Sequence, residues 1–248
     1  MIFGPRRWRI DSWNRGDKAV IAIRRDNDSV LLSAGYAEGA AEHRDDGADS
    51  IWLFLDQLFL MSYQRFLELC TSEVLGGKPR WVHLRLLKVL FSLNPSRKAV
   101  LNIRLAQCCV ACGWQRLASW IQYRLATRFG LYVEPKTEIG KGMRLPHPTA
   151  IVIGKGLKIG ERCLIYQQVT LGAAPRDHQG LMPRVGDDVT LYPGAKLVGK
   201  GCVGNRVVVG ANAVVTDVFG DDVVLAGVPA RVVRRVRADD RVGALRKT

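Results

Sequence analysis

Between residues 139 and 215 an aliphatic side chain returns every six positions, in two blocks. The first is Ile153, Ile159, Ile165 and Leu171; the second is Val185, Leu191, Leu197, Val203, Val209 and Val215. A glycine often follows, as at Gly154, Gly160, Gly172, Gly186, Gly204 and Gly210, and a small or aliphatic residue stands two places before. A fixed internal period decides the architecture before any local propensity does. Six does not match an α-helix, whose apolar stripe recurs at three and four. It does match a short strand plus a turn, repeated as one side of a three-sided coil. Each aliphatic then points inward and stacks on its copy in the next coil, so that neighbours share burial.

Two interruptions break the period. The step from Leu145 to Ile153 is eight, and His147 sits at that break. The step from Leu171 to Val185 is fourteen, and residues 173 to 184 lose the pattern. Insertions in repeat arrays map to loops, often on the binding face, so these breaks are where chemistry is expected.

The chain carries 37 Lys and Arg against 23 Asp and Glu, a formal net charge of +14, which favours acidic partners or anionic surfaces. No basic run interleaved with aromatics marks a nucleic-acid surface, so no nucleic-acid partner is expected. Cys70, Cys108, Cys109, Cys112, Cys163 and Cys202 lack the spacing of a secreted disulfide scaffold. No apolar run follows the basic first nine residues, so no signal peptide is read there. Reduced thiols in a cytoplasmic protein are expected, and no metal in the chemistry. Cys108, Cys109 and Cys112 read as thiols on a helix rather than as metal ligands.

Four regions are expected. Residues 1–50 form an N-terminal extension and linker, with a hairpin around Asp26-Asn27-Asp28; Met61 is an alternative start. Residues 51–130 read as a helical domain. It begins with an apolar helix over 51–74, too short in its apolar run to span a membrane. Helices over 81–94 and 96–129 follow, with Pro95 between them, Gly113 a break or a tolerated interior glycine, and Gly130 a stop. Residues 131–235 hold the coil, and 236–248 form a basic tail. Apolar helices studded with Arg and Lys make peripheral association with the inner membrane a further expectation.

A neutral imidazole can take a proton from a hydroxyl as that hydroxyl attacks a carbonyl, which makes His147 the candidate general base. No Gly-x-Ser-x-Gly motif provides a covalent nucleophile, so direct transfer to an acceptor is expected.

At this point a resemblance carries the reading further. The segments Val133-Glu-Pro-Lys-Thr-Glu-Ile-Gly140, Leu145-Pro-His-Pro-Thr-Ala150, Val169-Thr-Leu-Gly172 and Ala226-Gly-Val-Pro-Ala-Arg231 are similar to those of the hexapeptide-repeat acyltransferases, in the serine acetyltransferase-like branch. The resemblance implies an α+β architecture in which a helical N-terminal domain precedes a left-handed parallel β-helix. It also implies a homotrimer, acetyl-CoA as acyl donor in a groove between coils, and His147 as general base. CoA contacts carry over onto Ala211, Ala226, Gly227 and Arg231.

Acceptor-side positions depart from the branch pattern together. Pro146 precedes the His where an acidic residue is usual, and Tyr132 stands where an Asp orients the His. Leu181 and Met182 precede Pro183 in place of the Arg-His pair that holds a serine carboxylate. Arg176, Asp177 and His178 lie in the same loop and are candidate substitutes, and Glu134 is a candidate for orienting His147. An amino-acid acceptor needs its charges paired in a closed site. The sequence therefore reads first as an acetyl-CoA-dependent O-acetyltransferase acting on a sugar or polysaccharide hydroxyl. Serine O-acetyl transfer toward cysteine is the alternative, then a non-catalytic trimeric scaffold, then N-acetyl transfer.

Overall fold

The computed structural model describes residues 9–14, 18–25, 28–35, 47–77, 80–173 and 182–237, with side chains described from residue 59 onward. The chain divides into two compact units, residues 1–52 and 53–248. The first holds an antiparallel sheet of β1 (Arg9–Asn14), β2 (Lys18–Arg25) and β3 (Asp28–Gly35), in that order. Arg25 pairs with Asp28, which closes the expected hairpin over residues 26–27. Strand β1 is an addition to the sequence reading. Its apolar residues, Ile10 and Trp13, fall off the period of two that announces a strand.

Helix α1 (Gly47–Glu73) is followed in the second unit by α2 (Val82–Phe91), α3 (Pro95–Ala111) and α4 (Gln115–Phe129). Local chemistry sets these ends. Asn94 caps α3 by accepting from the Arg97 N–H at 3.1 Å, and Pro95 takes the first helical position, where its missing N–H costs nothing. Gly113, at φ 77°, is a true break between α3 and α4. Gly130, at φ 60°, ends α4 with its N–H on the Ala126 carbonyl. Among the described residues no helix is long and apolar enough to cross a membrane.

The coil then runs as short strands: β4 (Tyr132–Val133), β5 (Glu138–Ile139), β6 (Val152–Ile153), β7 (Lys158–Ile159), β8 (Leu164–Ile165), β9 (Thr170–Gly172), β10 (Arg184–Val185), β11 (Thr190–Leu191), β12 (Lys196–Val198), β13 (Cys202–Val203), β14 (Val208–Val209), β15 (Val214–Val215), β16 (Val218–Phe219) and β17 (Val223–Ala226). They fall into three parallel sheets, ordered β4-β6-β9-β12-β15, β5-β7-β10-β13-β16 and β8-β11-β14-β17. Every third hexad pairs, as Ile153 with Leu171 and Ile165 with Leu191. This is the parallel β-helix expected from the period. Its aliphatics are buried without exception: Ile165, Leu171, Leu191, Leu197, Val209 and Val215 are fully enclosed. After Val215 the step shortens to four, and β18 (Arg231–Arg235) folds back antiparallel on β17 to close the end.

The turn between the second and third sheets shows why glycine and Asx residues recur. A Cβ on Gly140 would lie 2.6 Å from the Gly160 carbonyl carbon, and one on Gly186 would lie 2.5 Å from that of Gly204. One coil on from each of these contacts a side chain caps the stack. Asp187 accepts from the Glu161 N–H, Asn205 from Asp187 and Asp221 from Asn205, each at 2.8 Å. Beside them Arg162, Asp188, Arg206 and Asp222 all take positive φ and form a column of alternating charge. Arg162 clasps Asp188 through paired bonds of 2.7 and 2.8 Å, and Arg206 clasps Asp222 through two bonds of 2.7 Å. These pairs hold both guanidiniums above the ordinary arginine range, the hydrogen bond to the carboxylate being the main cause.

The helices are joined to the first coil by a buried ion pair. Arg104 of α3 meets Glu73 of α1 at 2.6 and 2.8 Å and donates to the Ile139 and Gly140 carbonyls at 2.9 and 2.6 Å. Glu73 accepts in turn from the Gly142 N–H at 2.8 Å. Gln107 adds a bond to the Thr137 carbonyl at 2.9 Å.

Candidate active site

The edge that turns from the third sheet back to the first gathers four of the residues singled out by sequence, His147, Ala211, Ala226 and Gly227. Each coil contributes one residue directly after its third strand. Tyr166 donates its N–H to Leu191, Tyr192 to Val209 and Gly210 to Leu225, at 3.0, 3.0 and 2.8 Å. Tyr166, Tyr192, Gly210 and Ala226 therefore stack in one column. A second column follows two residues later: Gln168 donates its N–H to the Thr149 carbonyl, Gly194 to that of Gln167, and Asn212 to that of Pro193, at 3.0, 3.0 and 2.9 Å. Ala211 lies between the two columns, joining Gly210 to Asn212, and the Gly227 carbonyl accepts from the Val214 N–H at 3.0 Å.

His147 stands at the head of this edge. The two extra residues of the first interruption form its loop, closed by the Thr149 N–H on the His147 carbonyl at 2.8 Å. The His147 ring is exposed and lies 6.3 Å from Tyr166, tilted by 42°. Tyr166 in turn stacks on Tyr192 at 5.4 Å and 6°. Along the edge the side chains thus run His, Tyr, Tyr and then Gly and Ala. Aromatic faces adjoin the base, and bare backbone lies farther on. A Cβ on Gly210 would come 3.1 Å from the Leu225 carbonyl oxygen, so that stretch of the edge stays shallow only with glycine there. Beneath the first coil, Gln167 Oε1 is buried and accepts no hydrogen bond among the described residues.

The other predicted residues are placed less closely. Glu134 follows β4, and its carboxylate accepts from the Lys136 N–H at 3.5 Å. Among the described residues no hydrogen bond reaches the His147 ring, from Glu134 or from another group. Tyr132 is on the outer face of β4 beside Val152 and is 55% exposed. Arg231 opens β18 and donates to the Ala230 carbonyl at 3.0 Å. It also adds to the field that lowers the Asp217 carboxyl below its usual range, behind the stronger effect of the Lys200 hydrogen bond. Arg176, Asp177 and His178 lie outside the described residues, as does Leu181; Met182 is partly buried and packs on the coil core.

Tyr166 and Tyr192 are the additions to the sequence reading. Both occupy the position after the hexad aliphatic, where glycine is the rule, and they stand 26 residues apart. A coil of three hexads spans 18 residues, and the insertion over 173–184 supplies the remainder. The signal was therefore a pair of exceptions one coil apart.

No family model matches the chain. Among curated proteins it is similar to the serine acetyltransferase of Buchnera aphidicola subsp. Schizaphis graminum, at 33% identity over 126 residues, covering 50% of this chain and 48% of that one. The serine acetyltransferase of Staphylococcus xylosus is 28% identical over 160 residues, covering 59% of this chain and 74% of that one. Among solved structures, serine acetyltransferase from Vibrio cholerae O1 matches with a TM-score of 0.62 at 25% identity, over 75% of this chain and 72% of that one. A serine acetyltransferase in complex with CoA matches with a TM-score of 0.57 at 27% identity, over 71% and 74%. The chain spans about half the length of the first curated relatives it matches. These relatives and structures are serine acetyltransferases, the branch to which the sequence motifs point.

Proposed function

We propose that this chain transfers an acetyl group from acetyl-CoA to a hydroxyl, with His147 as general base. The observation that carries the reading is the graded edge. An exposed imidazole stands at its head, and a strip of Gly210, Ala211, Ala226 and Gly227 follows, over which a slender thioester arm can lie against backbone. The acceptor oxygen attacks the thioester carbonyl, and a new O–C bond forms. His147 takes the hydroxyl proton, the C–S bond breaks, and the proton leaves with the CoA thiolate. Backbone N–H groups along the edge are the available donors to the developing oxyanion. Three copies assembled around a threefold axis would enclose a histidine that a single chain leaves exposed, and we include the homotrimer in the proposal.

The relatives support serine as the acceptor more than they support a sugar, and serine is the first acceptor to test. A second reading, a sugar hydroxyl, rests on one observation. The neighbour of His147 is a stacked pair of tyrosine faces, a surface suited to the apolar face of a pyranose. Thiol release from acetyl-CoA with serine, and separately with nucleotide sugars, separates the two. Serine-dependent release lost in His147→Ala establishes the first. Release with sugar alone establishes the second, and no release with either sinks the transferase reading.

A further inference from the structure

Helix α2 carries apolar side chains on two sides. Leu86 and Val89 are buried, as a core-facing stripe should be. Leu84, Leu87 and Phe91 form a second stripe at helical spacing, 50, 51 and 80% exposed, flanked by Trp81 at 72% and Leu93 at 99%. Arg85 and Lys88 are interleaved with them, and with Trp81 and Leu84 they line a shallow cavity of about 310 Å³. The helix's own stretch of sequence carries charge of one sign. From Val74 to Val133 the chain carries ten Lys and Arg and no Asp or Glu. Arg104, the one of these that is fully buried among the described residues, is neutralised by Glu73 from outside the stretch.

A surface of leucine, phenylalanine and tryptophan interleaved with cations, on a helix whose own sequence holds no carboxylate, complements one environment above others. An anionic bilayer offers acyl chains to the apolar groups and phosphates to the basic ones. A second copy of the same face would bring like charges together. Nucleic acid would leave the leucines in water. We propose that the α2 face, Trp81 to Leu93, docks peripherally on an anionic phospholipid surface. The proposal stands independently of acetyl transfer, because its test reads binding alone.

The test is co-sedimentation of the full chain with vesicles of phosphatidylcholine and phosphatidylserine at about 70:30, against pure phosphatidylcholine, in about 0.1 M salt. The expected result is binding to the mixed vesicles only, released by high salt. Lys88→Gln should weaken it about fivefold, the loss of one cation near the surface. Leu87→Ser with Phe91→Ser should weaken it further while the thermal melt is kept, since both side chains are already exposed. Equal sedimentation with and without phosphatidylserine overturns the proposal, as does unchanged binding by the serine variant. Absence of lipid binding, with a self-association in ultracentrifugation that the serine variant abolishes, also overturns it and makes the face a contact between copies.

Discussion

His147 differs from the other histidine whose side chain is described. His83 shares a 2.8 Å hydrogen bond with Tyr63 and stacks on its ring, whereas His147 is offered to solvent at the head of a ligand-sized edge. Replacing a general base costs about 10²–10⁴-fold. His147→Ala is therefore expected to lower kcat/KM by that amount without lowering the melting temperature, as steady-state thiol release and calorimetry would show. The buried thiols make a second residue-scale prediction. Burial pushes Cys70 and Cys163 from an ordinary 9.0 up to about 12, so both stay protonated in the folded chain at pH 10, while an unfolded thiol ionises. A raised folded pKa gives stability that is whole below about pH 9 and is lost between there and about pH 12. Between pH 8 and 10 wild type should lose about 1 kcal/mol more than Cys163→Ala, measured by denaturant titration. At this scale His147 was legible because a break in a strict period exposes it. What holds its ring was not legible, since that depends on neighbours brought together by coiling.

The elements were more legible than their junctions. Period six announces the coil because each strand repeats one packing problem, and Asn94-Pro95, Gly113 and Gly130 punctuate the helices through their own backbone chemistry. The Glu73–Arg104 pair was invisible, since its partners lie 31 residues apart and its other bonds go to carbonyls that carry no sequence signal. Breaking a buried pair by removing one partner costs about 3–5 kcal/mol. Glu73→Gln should therefore destabilise by that order and loosen the helices from the coil, seen as lost hydrogen-exchange protection at residues 139–143. The glycine column makes an independent prediction. In Gly186→Ala the new methyl would stand 2.5 Å from the Gly204 carbonyl carbon, so the coils must part. A loss of more than about 1 kcal/mol is expected, and an unchanged denaturation midpoint would contradict the stacking described.

Over the whole molecule, charge and shape divide the work. The coil pairs many of its charges locally, through ladders such as Arg162 on Asp188 and Arg206 on Asp222, and keeps one edge for small and aromatic residues. The helices keep the excess of cations, which accounts for much of the +14. The net charge was plain from composition, but its segregation onto an apolar helix face appeared only with the burial pattern. The acceptor was less legible still. On the proposed transferase reading, motifs mark the donor side through backbone shape, while the acceptor side depends on single side chains that differ here from the branch pattern. The most direct measurement is thiol release from acetyl-CoA by the full chain with serine, run beside His147→Ala. The account predicts a hydroxyl-dependent rate that falls about 10²–10⁴-fold in the variant. An equal rate in the variant, or no rate with serine or any sugar hydroxyl, would contradict it.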